Sequence, residues 1–290
     1  MLIPEHRWST AAPQWRAAEQ YGFDHAWTYD HLGWRSFVDS PWFSAMPTLT
    51  AAALVTERIE LGTMVASAAF RHPVPFAREA IHVDDVCDGR LLLGVGAGTI
   101  GTYDYTVFGE TEPPPKQKAD RFVEFTEALD GLLRTDDFDH HGEYFTAVGA
   151  RNLPGSTRQP RVPLLVAANG PRTIRFAAGI SDGWITTGRG GDDAQAWWQG
   201  VAELAERFTA ALDGAGRDPG EVRRYLYADA GPAYCLTSVD AFTDAAQRAA
   251  RLGFTDLVVH WPRPNEPFHG DPAVLEELAA GVLDGVRELG

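Results

Sequence analysis

An ionisable pair, Asp30 and His31, stands where a short aromatic and β-branched strand ends, within the segment Trp27–Arg35. Imidazole titrates near neutral pH, so His31 could act as a general acid or base. A lone histidine is often structural, and Trp34 could form a wall for a flat ligand or simply belong to the core. Because a strand end holds a side chain rigidly, this segment is a candidate active site.

The segment Gly96–Gly101, with the sequence GAGTIG, fits the dinucleotide-binding pattern GxGxxG after a strand. That pattern binds a pyrophosphate only when a helix begins directly after it. Here the chain continues as TYDYTVFG and then reaches three prolines, which disfavours a Rossmann site. The alternative is that Gly96 and Gly98 let the backbone pass close to a planar ligand.

A possible anion site is formed by Asn169, Gly170, Pro171 and Arg172, which follow an apolar strand and begin a predicted helix. Free backbone N–H groups at a helix N-terminus, beside a glycine and an arginine, can bind a phosphate. An ordinary strand-to-helix turn explains the same residues, because Gly-Pro is common in turns. Thr187, at the end of the next predicted strand, could donate to the same phosphate.

The last predicted strand ends at His260 and Trp261, and His260 raises the alternative of a metal site shared with His31. A metal-dependent hydrolase usually needs several clustered histidine and carboxylate ligands. The sequence contains no HxH or HExxH pattern, and the adjacent side chains of His140 and His141 would diverge in a strand. We therefore predict that no metal is bound.

These candidates are positioned by predicted strands and amphipathic helices that alternate along the whole chain. Eight strand-then-helix units can be counted if Leu2 and Ile3 are taken as the remains of a first strand, ended by Pro4. Eight such units in a chain of this length favour a (β/α)8 TIM barrel, whose active site lies where the strands end. Either this first strand is truncated or the true start of the chain lies upstream.

Two segments depart from the repeat and are predicted to be insertions. One covers residues 99–115, after strand 4, and the other runs from about residue 136 to 160, before strand 5, and is predicted to contain a small hairpin. Long insertions in a barrel usually form lids or substrate loops. No linker or low-complexity segment interrupts the sequence, so we predict one domain over residues 1–290.

Composition restricts the partners and the cellular environment. The formal net charge of −15 disfavours nucleic acid, which is bound mainly through Lys and Arg. Cys87 and Cys235 have no CxxC spacing, which predicts free thiols in a reducing cytoplasm. The N-terminal segment does not resemble a signal peptide, and no apolar run is long enough to span a bilayer, so we expect a cytoplasmic protein without a membrane partner.

Several blocks, in this order along the chain, resemble the luciferase-like monooxygenase family. The blocks are Asp30-His31, Leu61–Val65, Phe70–Pro73, Asp88–Gly98, Ala168–Arg172 and Asp182–Trp184. Each block is weak alone, and together they are specific. The resemblance implies a TIM barrel that uses reduced FMN or the deazaflavin coenzyme F-420, with the ring of the cofactor over the barrel mouth.

The resemblance also implies roles for particular residues. Met64 and Val65 would form a non-prolyl cis peptide that bulges toward the ring, and Asn169–Arg172 would bind the cofactor phosphate. His31 would lie near the reactive centre of the ring, with Trp34 beside the substrate pocket, as in the deazaflavin-dependent dehydrogenases of the family. The full predicted set is His31 and Trp34 as catalytic; Asp30, Met64, Val65, Gly96, Gly98, Asn169, Gly170, Pro171, Arg172 and Thr187 as cofactor-binding; and Trp34, Thr99, His260 and Trp261 as substrate-facing.

One position departs from the family pattern. The sugar-phosphate and alcohol dehydrogenases of the family have a glutamate just after the glycine turn, where this chain has Thr99. The departure removes a proton donor and puts those substrates in doubt.

Our leading hypothesis is an oxidoreductase that transfers a hydride between F-420 and a small organic substrate, with His31 handling a proton or stabilising charge on the ring. F-420 is favoured over FMN by His31 with Trp34 and by an Ala/Gly/Arg/Asp-rich composition typical of high-GC genomes. The alternatives are a two-component FMN monooxygenase supplied by a partner flavin reductase, and a non-catalytic flavin-binding barrel. We also expect a homodimer.

Overall fold

The computed structural model describes residues 1–98, 103–191 and 193–289. The chain divides into two compact units. The N-terminal unit comprises Ile3–Glu19 and Asp24–Leu164, and the C-terminal unit comprises Met1–Leu2, Gln20–Phe23 and Leu165–Gly290. The assignment of all 290 residues to a single domain stays a prediction.

The N-terminal unit contains three parallel strands. Strand β1 (His25–Thr28) pairs with β2 (Glu60–Ser67), and β2 pairs with β3 (Leu91–Gly96). All six residues of β3 are buried, as is typical of a parallel strand covered on both faces. The helices in this part of the chain are α1 (Trp8–Gln20), α2 (Ala45–Ala53), α3 (Pro73–Val86), α4 (Tyr103–Thr106) and α5 (Pro115–Arg134).

Close packing between β1 and β2 depends on a glycine. A Cβ atom at Gly62 would clash with the ring of Trp27 and lie 2.7 Å from the backbone oxygen of Leu92. The indole of Trp27 is fully buried in the space that the missing side chain leaves. The absence of a side chain at residue 62 therefore lets the Trp27 ring of β1 pack directly against β2, close to the strand end that precedes Asp30 and His31.

The second predicted insertion contains the expected hairpin, formed by antiparallel strands β4 (Asp137–His141) and β5 (Thr146–Arg151). The Glu124 carboxylate on α5 accepts hydrogen bonds from the N–H groups of Glu143, Tyr144 and Phe145 in the hairpin turn. Burial acts to raise the pKa of Glu124, but these N–H donors outweigh it and hold the pKa below its usual value. The carboxylate thus fastens the hairpin to the helix.

In the C-terminal unit, parallel strands pair in chain order. They are β6 (Leu164–Ala167), β7 (Gly183–Thr186), β8 (Arg223–Tyr227) and β9 (Asp256–Val258). The helices are α6 (Pro171–Ile180), α7 (Ala194–Ala215), α8 (Val239–Arg251), α9 (Ala273–Glu277) and α10 (Leu283–Arg287), with a π-helical turn, Leu278–Val282, between the last two.

Local sequence explains where the helices of the C-terminal unit begin and end. Helix α7 is capped by Asp193, whose carboxylate accepts from the N–H of Ala196, and it ends at Gly216 with φ +67°. The core beneath these helices contains Trp184, whose ring stacks on Phe208 with the centroids 4.5 Å apart. The indole N–H of Trp184 donates to the backbone oxygen of Ala168, which ties the start of the Asn169 turn to β7.

The described residues thus form an α/β fold with parallel strands, and this part of the fold prediction is confirmed. Leu2, predicted to belong to a first strand, forms one isolated bridge. Across the described ranges, no helix combines the length and apolar character that a bilayer span requires.

Candidate functional site

The His31 side chain, just beyond β1, is 7% exposed and contacts a carboxylate that is distant in sequence. Its Nδ1 lies 2.6 Å from Oδ2 of Asp104, a fully buried residue of α4. The other oxygen, Oδ1, accepts from the backbone N–H of Leu32 at 2.7 Å. An ionised carboxylate only accepts hydrogen bonds, so this contact puts a proton on Nδ1 and leaves Nε2 as the atom that can exchange a proton with a ligand.

An aromatic cluster surrounds the main chain at His31. The indole N–H of Trp42 donates to the backbone oxygen of His31 at 2.6 Å. The Trp34 ring stacks on Tyr29 with the centroids 4.6 Å apart and also stacks on Phe37. Trp34 is only 5% exposed, so it belongs to a packed wall beside His31 rather than to an open surface.

Asp30 lies in a different set of contacts. Its Oδ1 accepts from Nη2 of Arg71 at 2.8 Å, and its Oδ2 accepts from Nε of Arg71 at 2.5 Å and from the N–H of Ser67. Burial acts to lower the pKa of Arg71, but Asp30 and Glu79 outweigh it and raise that pKa overall. Asp30 therefore joins the end of β1 to the end of β2, and both of its oxygens are engaged.

The peptide bond between Met64 and Val65 in β2 is cis, as the resemblance implies. Met64 is buried, and Val65 is partly exposed. The pairing of β2 with β3 shifts register across these two residues, so the strand bends where the resemblance expects it to approach a ring.

The glycine segment after β3 has a backbone that only glycine adopts readily. Gly96 ends β3, and Gly98 has φ +82°. A Cβ atom at Gly98 would also lie 3.0 Å from Oγ of Ser67. Gly98 itself is therefore outside the right-handed helical region, and the next residues, where a Rossmann helix would begin, lie outside the described part of the chain. Thr99, predicted to face the substrate, lies outside the described residues.

In the C-terminal unit, the Asn169 side chain is held by three hydrogen bonds. Its Nδ2 donates to Oγ1 of Thr187 at 2.8 Å and to the backbone oxygen of Gly188, and its Oδ1 accepts from the hydroxyl of Thr186 at 2.6 Å. Because Thr187 Oγ1 accepts from Asn169, its own hydrogen points elsewhere. The exposed Thr187 hydroxyl can therefore donate to a ligand.

Helix α6 begins in the way that the anion-site prediction requires. Gly170 occupies the N-cap position with φ −84° and ψ 151°, Pro171 is the first helical residue, and Arg172 is exposed in the first turn. Gly170 has no side chain with which to cap the helix. The donor set of helix N-terminus, arginine and threonine hydroxyl fits a phosphate group.

The remaining predicted residues of the C-terminal unit are more enclosed. His260 is fully buried; its backbone N–H donates to Oδ2 of Asp229 at 2.6 Å, and its ring stacks on Phe268. Burial outweighs the attraction of Asp229 and lowers the pKa of His260 to about 4. Trp261 stacks on Tyr21 with the centroids 6.1 Å apart. The imidazole of His260 has no exposed surface, and Phe268 covers one of its faces.

Metal ligation finds no support among the residues that the structure describes. Within 1–98, 103–191 and 193–289, no three His, Cys, Asp or Glu side chains form a group that could hold a metal ion. Cys87 and Cys235 are free and buried.

Sequence reasoning missed two residues that the structure places at the candidate site, Asp104 and Arg71. Asp104 belongs to the stretch after the glycine turn, where a Rossmann site would require the start of a helix. A carboxylate between that turn and the three prolines, in a predicted substrate loop, was the available signal. Arg71 belongs to the Phe70–Pro73 block of the family resemblance, and nothing in the sequence around it indicates that it pairs with Asp30.

Comparison with known proteins connects the chain to one family. The sequence profile of luciferase-like monooxygenases matches residues 2–251. A 5,10-methylenetetrahydromethanopterin reductase from Methanolobus tindarius is 27% identical over 271 residues, which cover 93% of this chain and 74% of that protein. An F-420-dependent glucose-6-phosphate dehydrogenase from Beutenbergia cavernae is 36% identical over 317 residues, covering 93% of this chain and 91% of that enzyme.

A solved structure shows the same fold. The monooxygenase structure from Streptomyces bottropensis superimposes with a TM-score of 0.79 at 18% identity, covering 96% of this chain and 93% of the other.

Proposed function

Because the chain belongs to the luciferase-like monooxygenase family, we propose that it is an F-420-dependent oxidoreductase that transfers a hydride between the coenzyme and a small organic substrate. The observation that carries the proposal is His31, whose Nδ1 is bound by a buried carboxylate and whose ring lies 6.3 Å from the ring of Tyr29, centroid to centroid. The relative that is 36% identical over most of both chains is an F-420-dependent dehydrogenase, which supports the choice of cofactor.

The residues present fit such a cofactor. The Asn169–Arg172 turn and the Thr187 hydroxyl offer the donors that a phosphate needs. Gly96 and Gly98 have no side chain that would keep a flat ring away from the backbone, and Met64 and Val65 would approach the ring as the family resemblance implies. When bound, F-420 supplies a ring carbon that accepts or donates a hydride.

The chain's own contribution is proton handling and exclusion of water. His31 would take a proton from a substrate hydroxyl, or return one to a substrate carbonyl oxygen, at Nε2. Trp34 and the rings stacked on it would shield that oxygen from water. Asp30 would support the cofactor site through Arg71 and Ser67, since its oxygens are already engaged. Thr99, His260 and Trp261 stay proposed substrate contacts.

The finer structural predictions belong to the same proposal. We propose a single (β/α)8 barrel with insertions after its fourth and before its fifth strand, acting in the cytoplasm as a homodimer. The parallel strands of each unit and the TM-score of 0.79 support the barrel.

Titration of the purified protein with oxidised F-420 and, separately, with FMN tests the proposed function. We expect F-420 to bind. We also expect the absorbance of oxidised F-420 to change when an alcohol substrate is added, and that of reduced F-420 to change when a carbonyl substrate is added. Tight binding of FMN with no binding of F-420 would contradict the proposal and favour the FMN monooxygenase. Binding of F-420 without turnover after a broad substrate screen would favour the non-catalytic barrel.

A further inference from the structure

The carboxylate that the family's dehydrogenases carry after the glycine turn is missing at Thr99, but a different carboxylate reaches His31. Asp104 stands five positions later, on α4, and lies 2.6 Å from Nδ1 of His31. The two residues are separated by 73 positions in the sequence, so this contact is made by the fold rather than by local chain geometry.

The Asp104 carboxylate has no oxygen left for a substrate. Oδ2 faces His31, Oδ1 accepts from the N–H of Leu32, and the side chain is fully buried. A carboxylate in this state cannot deliver a proton to a ligand directly. Its direct contact with a titratable ring is the one with His31, so the imidazole is the group through which it can influence a substrate.

His31 is the titratable ring that the Asp104 carboxylate contacts directly, at 2.6 Å. The negative charge of Asp104 also helps burial to raise the pKa of the adjacent Tyr105. A buried carboxylate needs a hydrogen-bonding partner, and its charge favours a proton on the facing nitrogen.

We propose that Asp104 is a positioning residue that fixes the ring of His31 and keeps its proton on Nδ1, so that Nε2 is presented to the substrate oxygen. The catalytic use of Nε2 rests on the proposed function. Asp104 also binds the backbone of the residue after His31, so one side chain sets both the orientation of the imidazole and the position of the loop that carries it. In this chain the acid or base is a pair, with the carboxylate acting through His31.

The Asp104→Asn variant separates this role from a purely structural one. Its amide oxygen can still accept from Leu32, but its NH₂ group can donate to Nδ1 and would drive the proton to Nε2. We expect kcat to fall by about 100-fold or more, with KM and the dissociation constant for F-420 within about twofold of wild type. Asp213→Asn, an exposed site on α7, is the matched control and should leave all three unchanged.

A readout without cofactor tests the same proposal. In protein labelled with ¹⁵N-histidine, at a pH where the ring is neutral, the His31 signals should show a protonated Nδ1 in wild type and a protonated Nε2 in Asp104→Asn. An Asp104→Ala variant that loses stability while Asp104→Asn keeps wild-type kcat would overturn the proposal, because Asp104 would then only hold the loop. An unchanged tautomer in Asp104→Asn would overturn it as well.

If the wild-type protein does not bind F-420, the tautomer measurement still decides whether Asp104 controls His31.

Discussion

Arg71 binds Asp30 through two parallel hydrogen bonds, from Nε at 2.5 Å and from Nη2 at 2.8 Å, with side-chain exposures of 11% and 3%. This bidentate pair joins the end of β1 to the segment that follows β2. It is the electrostatic anchor of the loop that carries His31, and its burial makes it sensitive to loss of either partner.

Removal of Asp30 should destabilise the protein strongly. Asp30→Ala leaves the Arg71 guanidinium partly unpaired and the Ser67 N–H without its acceptor, so we expect the free energy of unfolding to fall by about 3 kcal/mol or more. Chemical denaturation measures the change. Arg134→Ala, which removes a 38% exposed partner of Asp130, should cost no more than about 1 kcal/mol. Equal losses in the two variants would contradict the anchor role of Asp30.

A methyl group at Gly62 should be poorly tolerated. In Gly62→Ala the new Cβ would meet the Trp27 ring and the backbone oxygen of Leu92, and the backbone oxygen cannot rotate away. We expect a loss of about 2 to 3 kcal/mol in unfolding free energy. Gly179→Ala on α6 meets no described atom within 4 Å and should be neutral or stabilising by up to about 1 kcal/mol. A thermal melt of both variants compares them, and a neutral Gly62→Ala would refute the packing argument.

The first turn of α6 should carry cofactor affinity. Arg172→Ala removes an exposed cation from the proposed phosphate site, and we expect the dissociation constant for F-420 to rise about tenfold, with kcat little changed. Arg175→Ala, an exposed arginine on the same helix, provides the control and should change the constant by less than about twofold. Fluorescence titration of F-420 gives both values. Equal effects of the two variants on the dissociation constant would mean that the overall positive charge of the helix, rather than the position of Arg172, determines the affinity for F-420.

Stability should fall in mild acid because of His260. Burial lowers the pKa of His260 in the folded protein to about 4, so below pH 6.5 the unfolded state takes up a proton that the folded state refuses. This stability is present above pH 6.5 and is lost between pH 6.5 and about 4, by up to about 3 kcal/mol. Urea unfolding at pH 7.5 and pH 5 should show a smaller decline in His260→Gln than in wild type.

The exposed His141 supplies the control for that experiment. His141→Gln should decline with pH as the wild-type protein does. A decline in His260→Gln as steep as in wild type would show that other groups cause the acid sensitivity.

Local patterns predicted much of the architecture and the positions of His31 and Asn169. Strand ends, prolines at helix starts and glycine turns depend on a few neighbouring residues, as at Pro171 and Gly98. The partner of His31 was not predictable in this way, because Asp104 is 73 positions away in the sequence. Asp104 also lies on a helix of four residues, which is too short to show a periodic pattern of apolar residues. Likewise, nothing near His260 in the sequence indicated that Phe268 would fold back and cover it.

The bond from Asp104 to Leu32 restricts how this protein can change over evolution. The predicted insertion after β3 is the segment in which we expect new substrate preferences to arise by changes of length and sequence, because long loops of a barrel usually shape its substrate site. Because the same insertion supplies the carboxylate that holds His31, added or deleted residues before position 104 would misalign the proton-handling pair, whereas changes beyond α4 would spare it. We therefore expect changes of chain length to be tolerated after α4 and to be selected against between β3 and Asp104.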